Sequence, residues 1–116
     1  MNSTKFYGGA YTHDSEVVRA TLAEWLAVPN LAIRIKIFGD QIFYEGDSVY
    51  VFAETGTQAG QLDCLLQGHI VAGSEEAGHR LQQLVDLFKQ RGVEASFDYT
   101  EVDDAGREIS DELRVK

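Results

Sequence analysis

Apolar and polar residues alternate along three consecutive short segments between Leu31 and Glu54. Alternation with a period of two is the pattern of β-strands. Two Gly-Asp pairs, Gly39-Asp40 and Gly46-Asp47, separate the three segments. Glycine at the first position of a two-residue turn supplies the positive φ that such a turn requires. The pattern therefore predicts a three-stranded antiparallel meander.

The predicted two-residue turns determine which residues face each other in this meander. We expect Phe38 to pair with Gln41, and Glu45 to pair with Ser48. One face then carries mainly branched apolar residues: Ile33, Ile35, Ile37, Ile42, Tyr44, Val49 and Val51. The opposite face carries Arg34, Lys36, Phe38, Phe43, Glu45, Tyr50 and Phe52. Its expected cross-strand rows are Arg34 with Glu45, Lys36 with Phe43 and Tyr50, and Phe38 with Gln41 and Phe52.

The second face is the strongest indication of function in the chain, because it carries four aromatic side chains. We take its candidate interaction residues to be Arg34, Lys36, Phe38, Phe43, Tyr50 and Phe52. An apolar patch of this size on a soluble domain is normally covered. The cover is the C-terminal hairpin or N-terminal arm of the same chain, a second copy in a homodimer, or a different protein or apolar ligand.

Two helices are predicted from the spacing of apolar residues and from their end signals. The first begins at a Thr12 or Asp14 cap, ends near Ala27 and is stopped by Pro29. Its apolar stripe is Val18, Leu22, Trp25 and Leu26. The second has Ser74 as its N-cap and Gly92 as its left-handed stop. Its apolar stripe is Ala77, Leu81, Leu84, Val85 and Phe88.

Further alternating segments complete one predicted domain over residues 1–116, in which 1–11 form a short strand or an arm. The other segments are a strand from Gln61 to Val71, a strand from Val93 to Glu101 and a closing strand that ends at Val115. This order predicts an α+β fold: a two-layer sandwich with an antiparallel-rich mixed sheet and two helices on one face, which buries the side that carries the isoleucines. It allows a ferredoxin-like fold with an inserted hairpin, or a plan similar to that of small acidic secretion chaperones.

The net charge of −9 narrows the classes of molecule that the protein is expected to bind. Eight acidic and three basic residues lie between Glu94 and the end of the chain. This acidic field repels nucleic acid and anionic membranes and suits a basic protein partner. No apolar run reaches the length of a membrane span. A single cysteine, Cys64, fits a reducing compartment, so we expect a cytoplasmic protein.

Catalytic and ligand-binding motifs are not apparent in the sequence. Phosphate-binding loops, paired cysteines and zinc-binding histidine pairs are missing, so we expect neither a cofactor nor a metal site. Cys64 alternates in phase with apolar neighbours, which predicts an inert buried thiol. His13 and His79 are expected on the surface. A candidate ligand site groups Asp63, His69 and Tyr99, because a histidine near a carboxylate is the usual arrangement for proton transfer.

The sequence therefore favours binding over catalysis. We expect a small acidic cytoplasmic interaction protein that forms a homodimer and binds a basic protein as an adaptor, chaperone or immunity protein. The alternative is a small-molecule-binding or enzymatic domain with a pocket near His69.

Overall fold

The computed structural model describes residues 2–37, 39–55 and 64–116. The predicted order of elements is confirmed, and the fold is α+β. Two helices are described, α1 (Ser15–Leu26) and α2 (Ser74–Gln90). The strands are β1 (Ser3–Ala10), β2 (Ile33–Lys36), β3 (Gly39–Glu45), β4 (Val49–Thr55), β5 (Cys64–Ile70), β6 (Ala95–Val102) and β7 (Leu113–Val115).

The seven strands form one sheet in the order β2-β3-β4-β5-β1-β6-β7. All the described neighbouring pairs are antiparallel, so the predicted parallel component is wrong. The N-terminal segment is a strand rather than an arm, and it lies between β5 and β6. Gly8 permits this insertion, because a Cβ there would lie 2.0 Å from the Ser96 carbonyl oxygen.

One face of the sheet and both helices supply the apolar core. All five residues of the predicted α2 stripe are buried, as are Val18, Leu22 and Trp25 of α1. The buried apolar strand residues are Phe6, Ala10, Ile42, Val49, Val51, Ala53, Cys64, Leu66, Ile70, Ala95, Phe97 and Val115. These strand positions share one face in the observed register, which we call the covered face.

The ends of the helices follow the predicted signals with one exception. Asp14 caps α1, and its carboxylate accepts hydrogen bonds from the backbone N–H groups of the second and third helical residues. At the start of α2, Gly73 rather than Ser74 is the N-cap. A carboxylate from β6 acts here instead, since Glu101 accepts a hydrogen bond from the Ser74 N–H at 2.8 Å. Gly92 has a φ of +76°, as its predicted role as a helix stop requires.

The first predicted hairpin register is wrong. Lys36 pairs with Gly39, and Arg34 pairs with Gln41 rather than with Glu45. Gly39 has a φ of +118° and begins β3, so it lies beyond the turn rather than at its first position. The expected partner of Gln41, Phe38, lies outside the described residues.

The second predicted hairpin register is also wrong. Glu45 pairs with Tyr50 rather than with Ser48, and Phe43 lies opposite Phe52 rather than Tyr50. The Gly46 N–H donates to the Val49 carbonyl at 2.9 Å, which places Asp47-Ser48 at the turn.

The assignment of residues to the two faces holds despite these shifts, but two isoleucines are not in the core. Val49, Val51 and Ile42 are buried as expected. Ile35 and Ile37 are 84% and 93% exposed, because the core does not extend to this end of the edge strand β2. Their expected burial is therefore wrong.

Candidate functional site

The sheet face opposite the core, which we call the open face, brings side chains from all seven described strands together. One row across the strands contains Phe43, Phe52, Gln67, Tyr7, Asp98 and Arg114. The next row contains Glu45, Tyr50, His69, Lys5 and Thr100. Directly opposed residues in an antiparallel sheet lie close enough for their side chains to interact. The open face is thus a continuous surface of aromatic and polar groups.

Four side chains contact one another in series across β2 to β5. The Arg34 guanidinium lies 5.8 Å from the centroid of the Phe43 ring. Phe43 meets Tyr50 edge to face, with the ring centroids 5.3 Å apart and the planes at 86°. Tyr50 stacks on His69 at the same centroid distance, with planes 5° apart. Aromatic pairs of this kind stabilise a structure by about 0.5–1.5 kcal/mol each beyond burial, so the rings hold one another in place.

The rings on the open face remain partly accessible to water. Phe43 is 38% exposed and Tyr7 is 55% exposed. Leu65, from the same face of β5, is 45% exposed. None of the described elements covers this central patch to the extent that the helices cover the other face. The patch is therefore partly open to solvent.

The C-terminal segment covers one end of the open face. The Thr100 hydroxyl donates to the Ser110 carbonyl at 3.1 Å, and Thr100 is 4% exposed. The Lys5 ammonium lies 3.0 Å from a Glu108 carboxylate oxygen. The C-terminal segment that the sequence predicted as a cover thus lies over β6. Among the described residues, it does not extend over the aromatic series, which consists of Phe43, Tyr50 and His69.

A concavity of about 530 Å³ lies between this segment and the aromatic series. Its lining residues are Lys5, Phe6, Tyr7, Tyr50, Gln67, Gly68, His69, Asp98, Tyr99, Thr100, Glu108 and Glu112. Two of its carboxylates are already paired: Glu108 with Lys5, and Asp98 with Arg114, whose Nε lies 2.6 Å from Asp98 Oδ1. The hydrogen bond from Arg114 lowers the pKa of Asp98 below its ordinary value, so this carboxylate is charged at neutral pH.

The structure brings together only part of the predicted site residues. Arg34, Lys36, Phe43, Tyr50 and Phe52 all lie on the open face. Phe38 and Asp63 lie outside the described residues.

His69 and Tyr99, which the candidate ligand site grouped together, direct their rings to opposite faces of the sheet. His69 is exposed and stacked on Tyr50. The phenol of Tyr99 lies against α2, where a Cβ on Gly78 would be 2.6 Å from its hydroxyl oxygen. The two side chains therefore do not form a proton-transfer pair.

Sequence analysis missed the contribution of β1 to the open face. Lys5 and Tyr7 lie in the two central rows, next to His69 and Gln67. The sequence shows that Lys5, Tyr7 and Gly9 alternate with their neighbours. Only the position of β1 between β5 and β6 brings these residues to the centre of the sheet.

The remaining candidate groups, Cys64, His13 and His79, lie apart from the open face. Cys64 is fully buried, and burial raises the pKa of its thiol to about 12. The predicted burial of this thiol is thereby confirmed. His13 and His79 are exposed as expected. Within the described ranges, no group of three histidine, cysteine or acidic side chains could hold a metal ion.

Comparison with known proteins adds no relative: no family model, curated protein or solved structure matches this chain.

Neither described helix combines the length and the apolar composition that a membrane-spanning segment needs.

Proposed function

We propose that this chain is a binding protein that self-associates through the open face of its sheet. The observation that supports the proposal is the aromatic series of Phe43, Tyr50 and His69, which is ordered by ring contacts and left partly exposed. The proposal takes the architecture as two layers, with both helices over the covered face. In this proposal a second copy buries the exposed rings of the open face.

The size of the open face is adequate for a modest dimer. The five strands β1 to β5, which the C-terminal segment leaves open, at a spacing of about 4.8 Å and with about seven residues at 3.4 Å give roughly 600 Å² per copy. Two copies would then bury roughly 1,200 Å², at the lower end of the range for specific interfaces. We accordingly expect a dimer that dissociates on dilution.

A basic protein is the heterologous partner that the charge favours. The net charge is −9, and the residues from Glu94 onward hold more than half of that excess. Such a field speeds association with a basic surface and discriminates against acidic ones. This supports an adaptor, chaperone or immunity role in the cytoplasm.

A small-molecule-binding or enzymatic role is a second candidate, which the concavity beside His69 favours. Its volume of about 530 Å³ falls in the range of ligand pockets. This role predicts that His69→Ala removes ligand binding or turnover and leaves the oligomeric state unchanged.

The first experiment measures molar mass by light scattering over a hundredfold range of concentration. The wild-type chain is expected to move from monomer to dimer, and Tyr50→Glu is expected to remain a monomer. A buried carboxylate without a partner is strongly unfavourable at an interface, whereas it is solvated in the free monomer. Circular dichroism establishes that the variant is folded.

Gln83→Glu is the matched control, because Gln83 is exposed on α2, away from the open face. This variant adds the same charge and is expected to dimerise like the wild type. Phe43→Glu, at a more exposed position of the series, repeats the test if Tyr50→Glu does not fold. A wild-type chain that stays monomeric at every concentration would contradict self-association.

A further inference from the structure

We infer that two copies pair about a two-fold axis that runs across the strands, so that Lys36 of each copy meets Glu45 of the other. The inference rests on the proposed self-association through the open face and specifies its geometry. It concerns the β2–β3 hairpin, where two charged groups lie at opposite ends of the same surface.

Lys36 and Glu45 are the two groups that the pairing would bring together. Lys36 shares a row with Gly39 and Glu45 shares one with Tyr50, so both project from the open face. Both are exposed, and neither makes an ion pair with another described residue. Their rows are six β3 residues apart, or about 20 Å along the strand.

Two-fold symmetry makes this arrangement self-complementary. An axis that lies between the two faces and crosses the strands keeps each strand over its counterpart but reverses its direction. The Lys36 end of one hairpin then lies over the Glu45 end of the other, and the same contact recurs on the other side of the axis. Two reciprocal ion pairs would flank the aromatic series.

The region between the two charged ends also suits a symmetric contact. Arg34 and Phe43 lie between the rows of Lys36 and Glu45, with the guanidinium over the ring. Reversal about the axis brings the Arg34 end of one copy over the Phe43 end of the other. Guanidinium groups and aromatic faces attract one another across interfaces as they do within a chain.

An axis along the strands is less favourable, because it exchanges the two edges of the sheet. The row that begins with Glu45 ends at Thr100, beside Glu108 and Glu112 in the concavity. Lys5 pairs with Glu108 there, so exchange of the edges would bring Glu45 of one copy toward Glu112 of the other. Like charges in an interface oppose association, which favours the axis across the strands.

The test reverses each charge separately and then mixes the two variants. Lys36→Glu carries two acidic groups at the hairpin ends, and Glu45→Lys carries two basic groups. Each variant alone would set like charges against each other twice, so we expect its dimer to be about tenfold weaker than the wild-type dimer. A one-to-one mixture restores both opposite-charge contacts and is expected to form the heterodimer in preference to either homodimer.

Native mass spectrometry measures the mixture, with one variant labelled uniformly with ¹⁵N to separate the masses. The double variant Lys36→Glu/Glu45→Lys is expected to regain the wild-type affinity within a fewfold. The heterodimer preference is expected to fall at high salt, because exposed ion pairs are screened.

Lys89→Glu and Glu76→Lys form the matched control pair, since both positions are exposed on α2. They change the net charge by the same amounts on the opposite side of the domain. We expect each to dimerise like the wild type and their mixture to form a statistical distribution. An equal heterodimer preference in this pair would overturn the inference, because net charge alone would explain it.

Cysteine cross-linking gives a second, independent measurement. A mixture of Lys36→Cys and Glu45→Cys chains is expected to form an intermolecular disulfide faster than either variant alone. The native Cys64 is buried with its pKa raised to about 12, so it stays out of this reaction.

The outcomes separate this inference from the proposal on which it rests. A wild-type chain that is monomeric at all concentrations would contradict both the proposed self-association and the inferred axis. A wild-type dimer that Tyr50→Glu dissociates, but that both charge reversals leave intact, preserves self-association and overturns the axis.

Discussion

The two faces of β5 show what distinguishes the covered and open sides of this sheet. Cys64, Leu66 and Ile70 are fully buried in the core cluster that also contains residues of both helices. Their neighbours Leu65, Gln67 and His69 project from the other side and are exposed. One strand of seven residues thus contributes to the core on one side and to an exposed surface on the other.

Aromatic side chains are arranged in the same way on both faces. On the covered face, Phe6 meets Phe97 edge to face at 5.9 Å and 88°. On the open face, Phe43 meets Tyr50 at 5.3 Å and 86°. The two faces thus combine similar ring geometry with unequal burial.

The largest expected effect is a contrast between one phenylalanine from each face. Phe97→Ala should lower the free energy of unfolding by about 3–5 kcal/mol, because it leaves a cavity among buried side chains. Phe43→Ala should lower it by about 1 kcal/mol or less in the monomer, since the ring is 38% exposed. Urea denaturation at a concentration below dimer formation measures both. Equal losses would mean that the two faces are equally part of the monomer core.

A second prediction concerns the pH dependence of stability that Cys64 introduces on the covered face. Burial raises the thiol pKa from 9.0 to about 12, so the folded state retains a proton that the unfolded state loses. The resulting stability is complete below about pH 9 and is lost as the pH rises toward 12. Over that interval the free energy of unfolding should fall by up to about 1.4 kcal/mol per pH unit from this group.

Cys64→Ala isolates the contribution of the thiol from that of the other alkaline groups. The difference in unfolding free energy between wild type and variant should be constant below pH 9 and should shrink above it. A difference that is independent of pH up to 12 would show that the covered face admits water at this position.

The smallest expected effect is the difference in stability between variants of two isoleucines, Ile42 and Ile35, that were predicted on the same face. Ile42 is 1% exposed, and Ile42→Val should destabilise the monomer by about 0.5–1.5 kcal/mol. Ile35 is 84% exposed, and Ile35→Val should change stability by less than about 0.5 kcal/mol. Thermal unfolding of the two variants measures the contrast. A comparable loss at Ile35 would place that side chain in a contact that the described fold does not contain.

The site residues were predictable to the extent that alternation assigned them to a face. Phe43 and Tyr50 lie on the predicted surface even though both hairpin registers were wrong. A shift of pairing by an even number of residues leaves every side chain on its face, whereas a shift by one would exchange the faces. Alternation also puts Tyr99 in phase with Phe97, and its ring lies on that side.

The sequence by itself determined the local periodicities: the order of the elements, the buried stripe of α2 and the two faces of the meander. These depend on residues close together in the chain, where side-chain direction follows directly from helix or strand geometry. The tertiary structure alone decided the hairpin registers, the central position of β1 and the capping of α2 by Glu101. Each of these depends on which distant segments pair, and a pattern with a period of two is compatible with several pairings.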